Sequence, residues 1–448
     1  MTIITILLGL AGLGVVVFFH ELGHFLAARA VGVEVEEFSL GWGPQLFGFT
    51  RGKTHYRVSV LPIGGYCKMK GEDSYRQAID KHLDEFPREP GSYFGAHPLK
   101  RILIALAGPA FNVILAFAIY VAIAGIGYTM QSWPNRVVLA SDYNGAPSPA
   151  DAAGIQTGDR ILSVGGTDIR GYSDIQERFA LSAGDTLELV LERNGAVITT
   201  QVTPVLDKET GAGRVGLYPW IEPVVRSTEG SAALSALEPG DRVSAIDGRP
   251  VAHVMDLELY LDSAQPQKPV ITYVRNGQSL ETSIMLSYSK GAPGLGVQWL
   301  YESTRVTSDG ILDALGDGLR ETGATIAATY RGLASLFQGV DVLKAVSGPA
   351  RITWTVGQVA TESLSSEAGG MYVTASFLAL LSIGLFAMNL LPIPLLDGGW
   401  IVLFVLEFIR GKAAKVKTVL RYQTIGFVAV AGLFLLTTVA DILFFSGR

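Results

Sequence analysis

Three residues near the start of the chain, His20, Glu21 and His24, have the types and spacing that zinc-dependent hydrolysis requires. Two histidines four residues apart lie on one face of a helix and can hold one ion. Zinc bound by two imidazoles and a carboxylate keeps one position for water and makes that water reactive at neutral pH. Glu21, beside the first histidine, can take the proton of the water and pass it to a leaving amine.

The surroundings of this motif argue against a chance match. From Ile3 to about Ala30 the sequence is apolar except around the motif. A charged side chain inside an apolar span costs on the order of 2.5–3.5 kcal/mol on insertion scales. Polar residues there need an internal partner or a function, so we interpret the motif as a metal site and not as solvated surface of a helix.

A third ligand is predicted in the C-terminal half, which is apolar and offers few polar candidates. Asp397 stands out within the segment NLLPIPLLDGG at 389–399. Its prolines break a helix and its glycines allow tight turns. Irregular backbone at membrane depth is tolerated where it is buried in protein or lines a watery cavity. The alternative is a solvated aspartate in a loop at the membrane edge.

The segments that must position these residues have the composition of a membrane protein. Hydrophobic residues make up 49% of the 448-residue chain and charged residues only 17%, against about 25% charge in an average soluble domain. About 20 apolar residues span a bilayer as a helix, so we predict a polytopic α-helical membrane protein with about four spans. The spans lie within 1–31, 101–128, 371–410 and 411–448, the last one after a basic loop.

The first span is expected to stay in the mature chain. No Lys or Arg precedes it, and a cleaved leader would discard the histidine motif. The third span contains the segment 389–399, where we expect a break followed by a short helix over 401–409.

Residues 32–100 are predicted to form a β-rich, membrane-associated segment followed by a cytoplasmic loop. Val58 and Val60 alternate with polar residues, as in a strand. An exposed edge could pair with an unwound substrate by β-augmentation, with Val60, Gly64 and Tyr66 as candidate contacts. The alternative is a cytoplasmic hairpin with a packing role only. The single cysteine, Cys67, is predicted to be a small packing residue.

The middle of the chain contains two copies of one unit, at 129–220 and 221–305. Each copy has short alternating strands, glycine turns and one helix-like stretch, at 173–181 and 255–264. The repeated motifs share an offset of about 82 residues, which favours two tandem domains: Gly158-Asp159-Arg160-Ile161 with Gly240-Asp241-Arg242-Val243, and Arg193-Asn194-Gly195 with Arg275-Asn276-Gly277.

Residues 306–370 are predicted to contain an amphipathic helix and a linker. Apolar residues from Ile311 to Phe337 fall near helical spacing, while Gly, Thr and charges fill the other face. Such a helix could lie at the membrane surface or pack on the second copy.

Lys and Arg crowd the loops before the second and the fourth span, and short basic loops stay cytoplasmic. Both chain ends and the two copies are then expected on the opposite side.

These motifs in combination resemble the site-2 protease family of intramembrane zinc metalloproteases. HELGH matches its HExxH motif, and residues 389–399 match its NxxPxxxLDG pattern. The two copies resemble PDZ domains in the circularly permuted bacterial form. The segments 61–66, 108–112 and 348–349 are similar to the bacterial branch with periplasmic PDZ domains, the regulator of sigma-E protease. Many members have His where Trp400 stands in this chain.

The resemblance implies roles for individual residues. Zinc ligation is implied for His20, His24 and Asp397, and acid–base catalysis for Glu21. Asn389 and the neighbouring proline, Pro392, are implied to handle the substrate.

The resemblance also implies a substrate class and a location. The substrates would be single-span membrane proteins such as anti-sigma factors, and remnant signal peptides, cut after a first cleavage by another protease. The enzyme would act in the inner membrane of a Gram-negative bacterium, with the PDZ-like domains periplasmic and the active site towards the cytoplasm. The PDZ-like pair would bind peptide C-termini or, as the family favours, exclude bulky ectodomains. We expect a monomer in contact with membrane lipid, and the net charge of −6 argues against a nucleic-acid partner.

Two other classes of function would also place metal-binding residues in a membrane. A non-catalytic membrane scaffold with PDZ-like domains would hold a structural metal. A structural site has no use for a base such as Glu21 and usually fills all four positions with protein ligands. A transporter would line a path with intramembrane His and Asp, and inverted repeats would favour it, but the spans show none.

Overall fold

The chain forms two compact units, Met1–Thr129 together with Arg305–Arg448, and Met130–Thr304. The computed structural model describes residues 3–72, 78, 80–81, 83–228, 237–286, 297–341, 346–365 and 370–446, with only the backbone described for 61–63 and 365.

The described part of the chain contains the following helices and strands. The helices are α1 (Ile3–Ala30), α2 (Pro98–Ile126), α3 (Ser141–Asn144), α4 (Pro149–Ala152), α5 (Tyr172–Ala180), α6 (Val254–Ala264), α7 (Ile311–Ser335), α8 (Pro349–Ser365), α9 (Gly370–Asn389), α10 (Asp397–Arg410) and α11 (Val416–Ser446). The strands are β1 (Val35–Arg51), β2 (Thr54–Met69), β3 (Tyr128–Ser132), β4 (Val137–Leu139), β5 (Arg160–Val164), β6 (Thr167–Asp168), β7 (Leu187–Arg193), β8 (Ala196–Val202), β9 (Val205–Leu206), β10 (Gly213–Arg214), β11 (Leu217–Pro219), β12 (Val225–Ser227), β13 (Arg242–Ile246), β14 (Arg249–Pro250), β15 (Val270–Arg275), β16 (Gln278–Ser283), β17 (Gln298–Trp299) and β18 (Glu302–Val306).

Among the described residues four helices, α1, α2, α9 and α11, are long and apolar enough to cross a membrane. The prediction of four spans is therefore confirmed, and the chain is a multi-pass membrane protein. The third span ends at Asn389, and α10 begins separately at Asp397. Pro392 and Pro394 lie between them, where each removes a backbone N–H and disfavours helix in the residue before it.

The helix α2 lies at the centre of the first unit, where it packs on α1, α7, α9 and α10. Its approach to α1 depends on glycines. A Cβ at Gly23 of α1 would lie 2.7 Å from the carbonyl carbon of Ala107, and one at Gly108 of α2 would lie 2.5 Å from Cε1 of His24. Small residues of this kind let helix backbones approach closely in membranes.

The start of α8 is tied to α11 by a buried carboxylate. Asp441, which is 4% exposed, accepts backbone N–H hydrogen bonds from Gly348 (2.8 Å), Ala350 (3.0 Å) and Arg351 (3.1 Å). A carboxylate at this end satisfies N–H groups that have no partner within the helix and complements the helix dipole. This contact explains the place of the Gly348-Pro349 motif in the fold.

The strands β1 and β2 are bent, so that they form more than one hairpin. Residues 37–40 pair with 65–68 on one side and with 55–58 on the other, and 47–51 pair with 54–58. The order across the sheet is therefore 65–69, 35–40, 55–58, 47–51. Within the described residues no further strand pairs with 65–69, so we call residues 65–69 the edge segment.

The two sequence copies fold alike in the second unit. Their sheets have the matching orders β6-β5-β7-β8 and β14-β13-β15-β16. The repeated motifs meet in each copy, where an arginine donates to an aspartate at 2.7 Å, Arg193 to Asp159 and Arg275 to Asp241. The hydrogen bonds from Arg275 hold the pKa of Asp241 below its usual value, so this pair stays ionised at neutral pH.

The amphipathic helix predicted after the repeats is α7, and it packs on α2. Its buried face carries Ala314, Gly318 and Thr322, whereas Ile311 and Leu319 on another face are exposed. Its contact with α2 was not predicted, because small residues in α7 give no hydrophobic signal in the sequence.

Candidate metal centre

The two histidines lie in the later half of α1, and both are buried, with 7% of His20 and 9% of His24 exposed. Their rings are 4.8 Å apart and nearly perpendicular, at 87°. The two Nε2 atoms approach to 3.2 Å. The i, i+4 spacing therefore brings the two nitrogens to one point inside the helix bundle.

The third predicted ligand, Asp397, is the first residue of α10 and reaches the same point. Its Oδ2 lies 3.2 Å from Nε2 of His20 and 3.5 Å from Nε2 of His24. This oxygen is buried and has no hydrogen-bond donor in the described structure. In the part of the chain that the structure describes, these three residues are the group whose ligand atoms converge as a metal site requires.

The separations between the three atoms fit a tetrahedral zinc ion. Ligand bonds of about 2.0–2.2 Å at tetrahedral angles put the ligand atoms about 3.3–3.6 Å apart. The observed separations are 3.2, 3.2 and 3.5 Å. Two neutral imidazoles with one carboxylate are the donor set of catalytic zinc sites, and the fourth position remains for water. The residues therefore fit zinc in both number and kind.

The loop ahead of Asp397 is held in an unusual conformation. Leu395 has a φ of 81°, which a residue with a side chain rarely adopts and which costs on the order of 1–3 kcal/mol. The expectation that the glycines form tight turns is wrong, since Gly398 and Gly399 lie within α10. A Cβ at Gly399 would lie 2.7 Å from the carbonyl carbon of Ile393. The glycines are thus needed for close approach of the loop to the helix.

The helix α2 orients the histidines. Nδ1 of His24 lies 2.8 Å from the carbonyl oxygen of Ile104, and the side-chain amide of Asn112 lies 3.1 Å from Nδ1 of His20. Asn112 is completely buried, and its Oδ1 has no hydrogen-bond partner in the described structure. Amide oxygen and nitrogen are interchangeable by rotation, and the rotated amide would accept the Nδ1–H of His20. Each Nε2 is then left free to bind a metal.

The same helix also fixes α10, which carries Asp397. Arg101 of α2 donates two hydrogen bonds to Glu407 of α10, at 2.7 and 3.0 Å, and its guanidinium lies 4.6 Å from the ring centre of Phe404. Both charged residues are less than a tenth exposed. The positions 101, 104, 108 and 112 form one stripe on α2, so a single helix face supports all three candidate ligands.

Glu21 lies next to this group and is half-buried. It interacts electrostatically with His20, His24 and Asp397, and it receives a backbone hydrogen bond from Cys67. A Cβ built on Gly65 would lie 3.1 Å from Cγ of Glu21. The edge segment of the β-sheet therefore runs directly past the candidate catalytic base.

None of the candidate substrate contacts belongs to the ligand group. Val60 is 45% exposed on β2, and Gly64 has a φ of 88°. Tyr66 donates its hydroxyl to Glu37 at 2.7 Å. Asn389 ends α9, and Pro392 is exposed in the loop that leads to Asp397.

Sequence reasoning gave Asn112 and Arg101 no part in the site. Asn112 appeared only as a member of a family motif, although a lone amide in an apolar span is a signal of a buried partner. Arg101 appeared only as a basic residue at the entrance to a span. Its partner lies 306 residues later, and the sequence contains no sign of that pairing.

Two helical histidines, a carboxylate from a distant helix and an adjacent glutamate, all within a bundle of apolar helices, define a membrane zinc metallopeptidase. The chain belongs to Peptidase family M50, the site-2 protease family, whose model matches residues 8–433. It is a zinc metalloendopeptidase, and its cofactor is Zn²⁺. This membership decides against the non-catalytic scaffold and the transporter.

Two relatives show how far the similarity extends. One is a protein of Treponema pallidum (strain Nichols) named "Putative zinc metalloprotease", 38% identical over 437 residues, which cover 96% of this chain and 97% of the relative. Another carries the same description in Neisseria meningitidis serogroup A and is 32% identical over 424 residues, covering 89% of this chain and 90% of the relative.

Proposed function

We propose that this chain cleaves single-span membrane proteins within the membrane, with His20, His24 and Asp397 holding zinc and Glu21 acting as the acid–base. The observation that carries this proposal is the convergence of the three ligand atoms at 3.2–3.5 Å. Exposed acidic clusters are common on proteins, but a buried ligand set among apolar helices is costly without a function.

Each residue of the site has a separate task in the proposed reaction. His20, His24 and Asp397 hold the ion. When bound, zinc supplies Lewis acidity, which activates water and polarises the carbonyl group of a peptide bond. Glu21 accepts the proton of the attacking water on its carboxylate and delivers it to the leaving nitrogen. The amide of Asn112 and the carbonyl of Ile104 hold the histidines in the tautomer that presents Nε2.

The tautomer argument predicts a specific effect of Asn112. In an Asn112→Leu chain His20 loses its Nδ1 partner, so zinc affinity should fall by about 10–100-fold. A competition titration with a chromophoric chelator measures this affinity in detergent. Ser382→Ala is the matched control, since Ser382 donates only to the backbone carbonyl of Asn112, at 2.9 Å. Equal zinc affinities of the Leu variant and the intact chain would contradict the role of Asn112.

The edge segment supplies the proposed means of holding a substrate. A peptide bond in a transmembrane helix is shielded, so the helix must unwind before cleavage. Among the described residues no further strand pairs with the edge segment, and its outward N–H groups at Cys67 and Met69 donate to Glu21 and Glu72 instead. An extended peptide that takes the place of these contacts can add as a further strand beside Glu21. Val60, Gly64 and Tyr66 lie on the strand that contains this segment. Asn389 and Pro392 are proposed to guide the substrate from the side of α9.

Proline in β2 tests this pairing. Because the Cys67 N–H faces Glu21, the Tyr66 N–H faces residues 35–40. Tyr66→Pro therefore distorts the edge segment, and if the segment aligns the substrate, the loss of about one hydrogen bond, about 0.5–1.5 kcal/mol, should slow cleavage by up to about tenfold. Val60→Pro should act in the same way. Tyr66→Phe is the control, because it loses the hydroxyl contacts with Glu37 and Ser39 and keeps the backbone N–H. Zinc content reports whether the site has folded, and a normal rate in a zinc-loaded Tyr66→Pro chain would defeat the idea.

The second unit is proposed to be a pair of PDZ-like domains that excludes bulky ectodomains, so that substrates must first be shortened. Its two copies share strand order and paired motifs.

The substrates proposed are anti-sigma factors and remnant signal peptides. The basic loops support an inner-membrane topology with this unit periplasmic and the active site towards the cytoplasm. A monomer suffices, since one chain supplies all four site residues.

Deleting residues 130–304 tests the proposed filter. The intact chain should cut a pre-shortened single-span substrate and refuse the full-length form, whereas the deleted chain should cut both at similar rates. Cleavage is followed in detergent by gel and mass spectrometry, with zinc content as the control for folding. If the deleted chain cuts the shortened form but still refuses the full-length one, the unit is not a size filter, and peptide binding becomes its better explanation.

A further inference from the structure

A cavity of about 370 Å³ adjoins the proposed zinc ligands. His24 and Asp397 form part of its wall, and the rest comes from β2 and Glu72 just after it, from α2 and the chain just ahead of it, and from α10. The volume corresponds to about twelve molecules of liquid water. It is therefore several times larger than a single reacting water needs, and no step of the proposed cleavage uses the remainder.

Most of the wall is apolar, and aromatic packing holds it in place. Trp400 stacks on Phe404, with ring centres 5.6 Å apart at 24°, and has Phe94 as a second neighbour at 6.2 Å. Phe94 in turn stacks on Phe86 at 4.6 Å. Phe94 and Met69 are each less than a tenth exposed. Contacts of this kind fix the rings, so the cavity is preformed, as ligand sites usually are.

The strand β2 connects this cavity with the proposed substrate path. Cys67 and Met69 are two residues apart and both line the cavity, as expected for one face of a strand. Gly65, two residues earlier, lies against Glu21. A peptide paired with the edge segment places side chains on the same face, about 4.5–5.5 Å from those of β2. The substrate residue opposite Cys67 therefore projects into the cavity.

We propose that the cavity is the pocket for one apolar side chain of the substrate, next to the cleaved bond, and that Trp400 sets the largest side chain it accepts. The inference rests on the proteolytic function proposed above. Glu72 stands on the polar part of the wall, beside Asp397, whose charge the bound zinc would offset. A substrate carboxylate would meet like charge there and lose its hydration, so it is excluded.

Substrate size selectivity tests the pocket. Mass spectrometry first locates the cleaved bond in a pre-shortened single-span substrate, and the residues on either side are then changed to Ala, Leu, Phe or Asp. In a Trp400→Ala chain the Phe-to-Leu ratio of kcat/KM at one of these positions should rise about tenfold or more, the range that pocket size gives. Asp at that position should be refused by the intact chain.

A matched control separates this effect from general damage to α10. Phe408→Ala removes an aromatic ring from the same helix, but Phe408 is 48% exposed and does not line the cavity. The Phe-to-Leu ratio of kcat/KM in this variant should therefore equal that of the intact chain. If the Phe-to-Leu ratio is unchanged in a zinc-loaded Trp400→Ala chain, the cavity is not the pocket for this side chain. If the zinc-loaded intact chain cuts no substrate at all, the proposed function itself fails.

The single cysteine allows a second measurement that does not depend on catalysis. In a Glu21→Gln chain, after a small thiol reagent has been shown to modify Cys67, substrates with one cysteine at successive positions are oxidised with copper phenanthroline. Opposed residues on paired strands have Cα atoms about 4.5–5.5 Å apart, which suits a disulfide. We expect a crosslink at one position beside the cleaved bond and none at its direct neighbours. Uniform crosslinking, or none, overturns the proposed register.

Discussion

Replacing Glu21 by Gln should abolish cleavage while the chain keeps one zinc. The substitution preserves the shape of the side chain but removes its ability to take a proton. General acid–base catalysis contributes about 10²–10⁴-fold to a rate, so the rate should fall by at least that factor. Glu21 is not one of the three atoms that converge at 3.2–3.5 Å, so zinc affinity should change little.

The measurement uses a pre-shortened single-span substrate in detergent, with zinc content determined on the same samples. Glu362→Gln is the control, because it makes the same chemical change on α8, where Glu362 pairs with Gln358. Equal rates of the intact chain and the Glu21→Gln chain would show that another group is the base.

The Asp397→Asn chain should lose both zinc and activity, which distinguishes a ligand from a base. An amide of the same size is a poor zinc ligand. The substitution also removes the carboxylate, which is the one negatively charged ligand, because the two imidazoles are neutral. The loss of zinc affinity should exceed the about 10–100-fold expected when a residue supporting a ligand is removed.

Unfolding experiments give an independent measure of the same loss. A bound ion stabilises the folded state by mass action, so a chelator should lower the Tm of the intact and Glu21→Gln chains but not that of Asp397→Asn. If Asp397→Asn kept one tightly bound zinc, Asp397 would not be a ligand, and the loop alternative of a solvated aspartate would regain support.

The ligands could be predicted from the sequence because their chemistry is local. His20 and His24 are four residues apart on a helix, so their convergence follows from helical geometry alone. Asp397 could be selected because the apolar half of the chain offers few polar side chains. Its distance from the histidines could not be derived, since the contact joins residues more than 370 positions apart and depends on how α2 packs on α10.

The residues that support the ligands could not be predicted from the sequence, because their contacts also join distant parts of the chain. The pairing of Arg101 with Glu407, and the contact of Asn112 with His20, come from tertiary packing and have no local periodicity. The glycines of the LDGG motif were assigned to turns because Gly favours turns. In the structure they permit close approach instead, and the unusual backbone conformation falls on Leu395.

The β-rich segment and an exposed edge were both predicted, but alternation could not say which strand forms that edge. Strand alternation identifies faces and does not say which strand lies at the border of a sheet. The pairing of residues 37–40 on both sides leaves 65–69 at the border beside Glu21. The repeats were the most predictable part, because each pair of Arg and Asp lies within one copy, as Arg193–Asp159 and Arg275–Asp241.

The most direct test of the centre is X-ray absorption at the zinc edge of the loaded chain in detergent. We expect one zinc per chain with two imidazole nitrogens and carboxylate or water oxygens at about 2.0–2.2 Å, and no sulfur. The imidazole signal should shrink in a His24→Ala chain. A zinc–sulfur distance of about 2.3 Å would place the ion on Cys67, and a site without two imidazoles would exclude His20 and His24 as the pair that holds it.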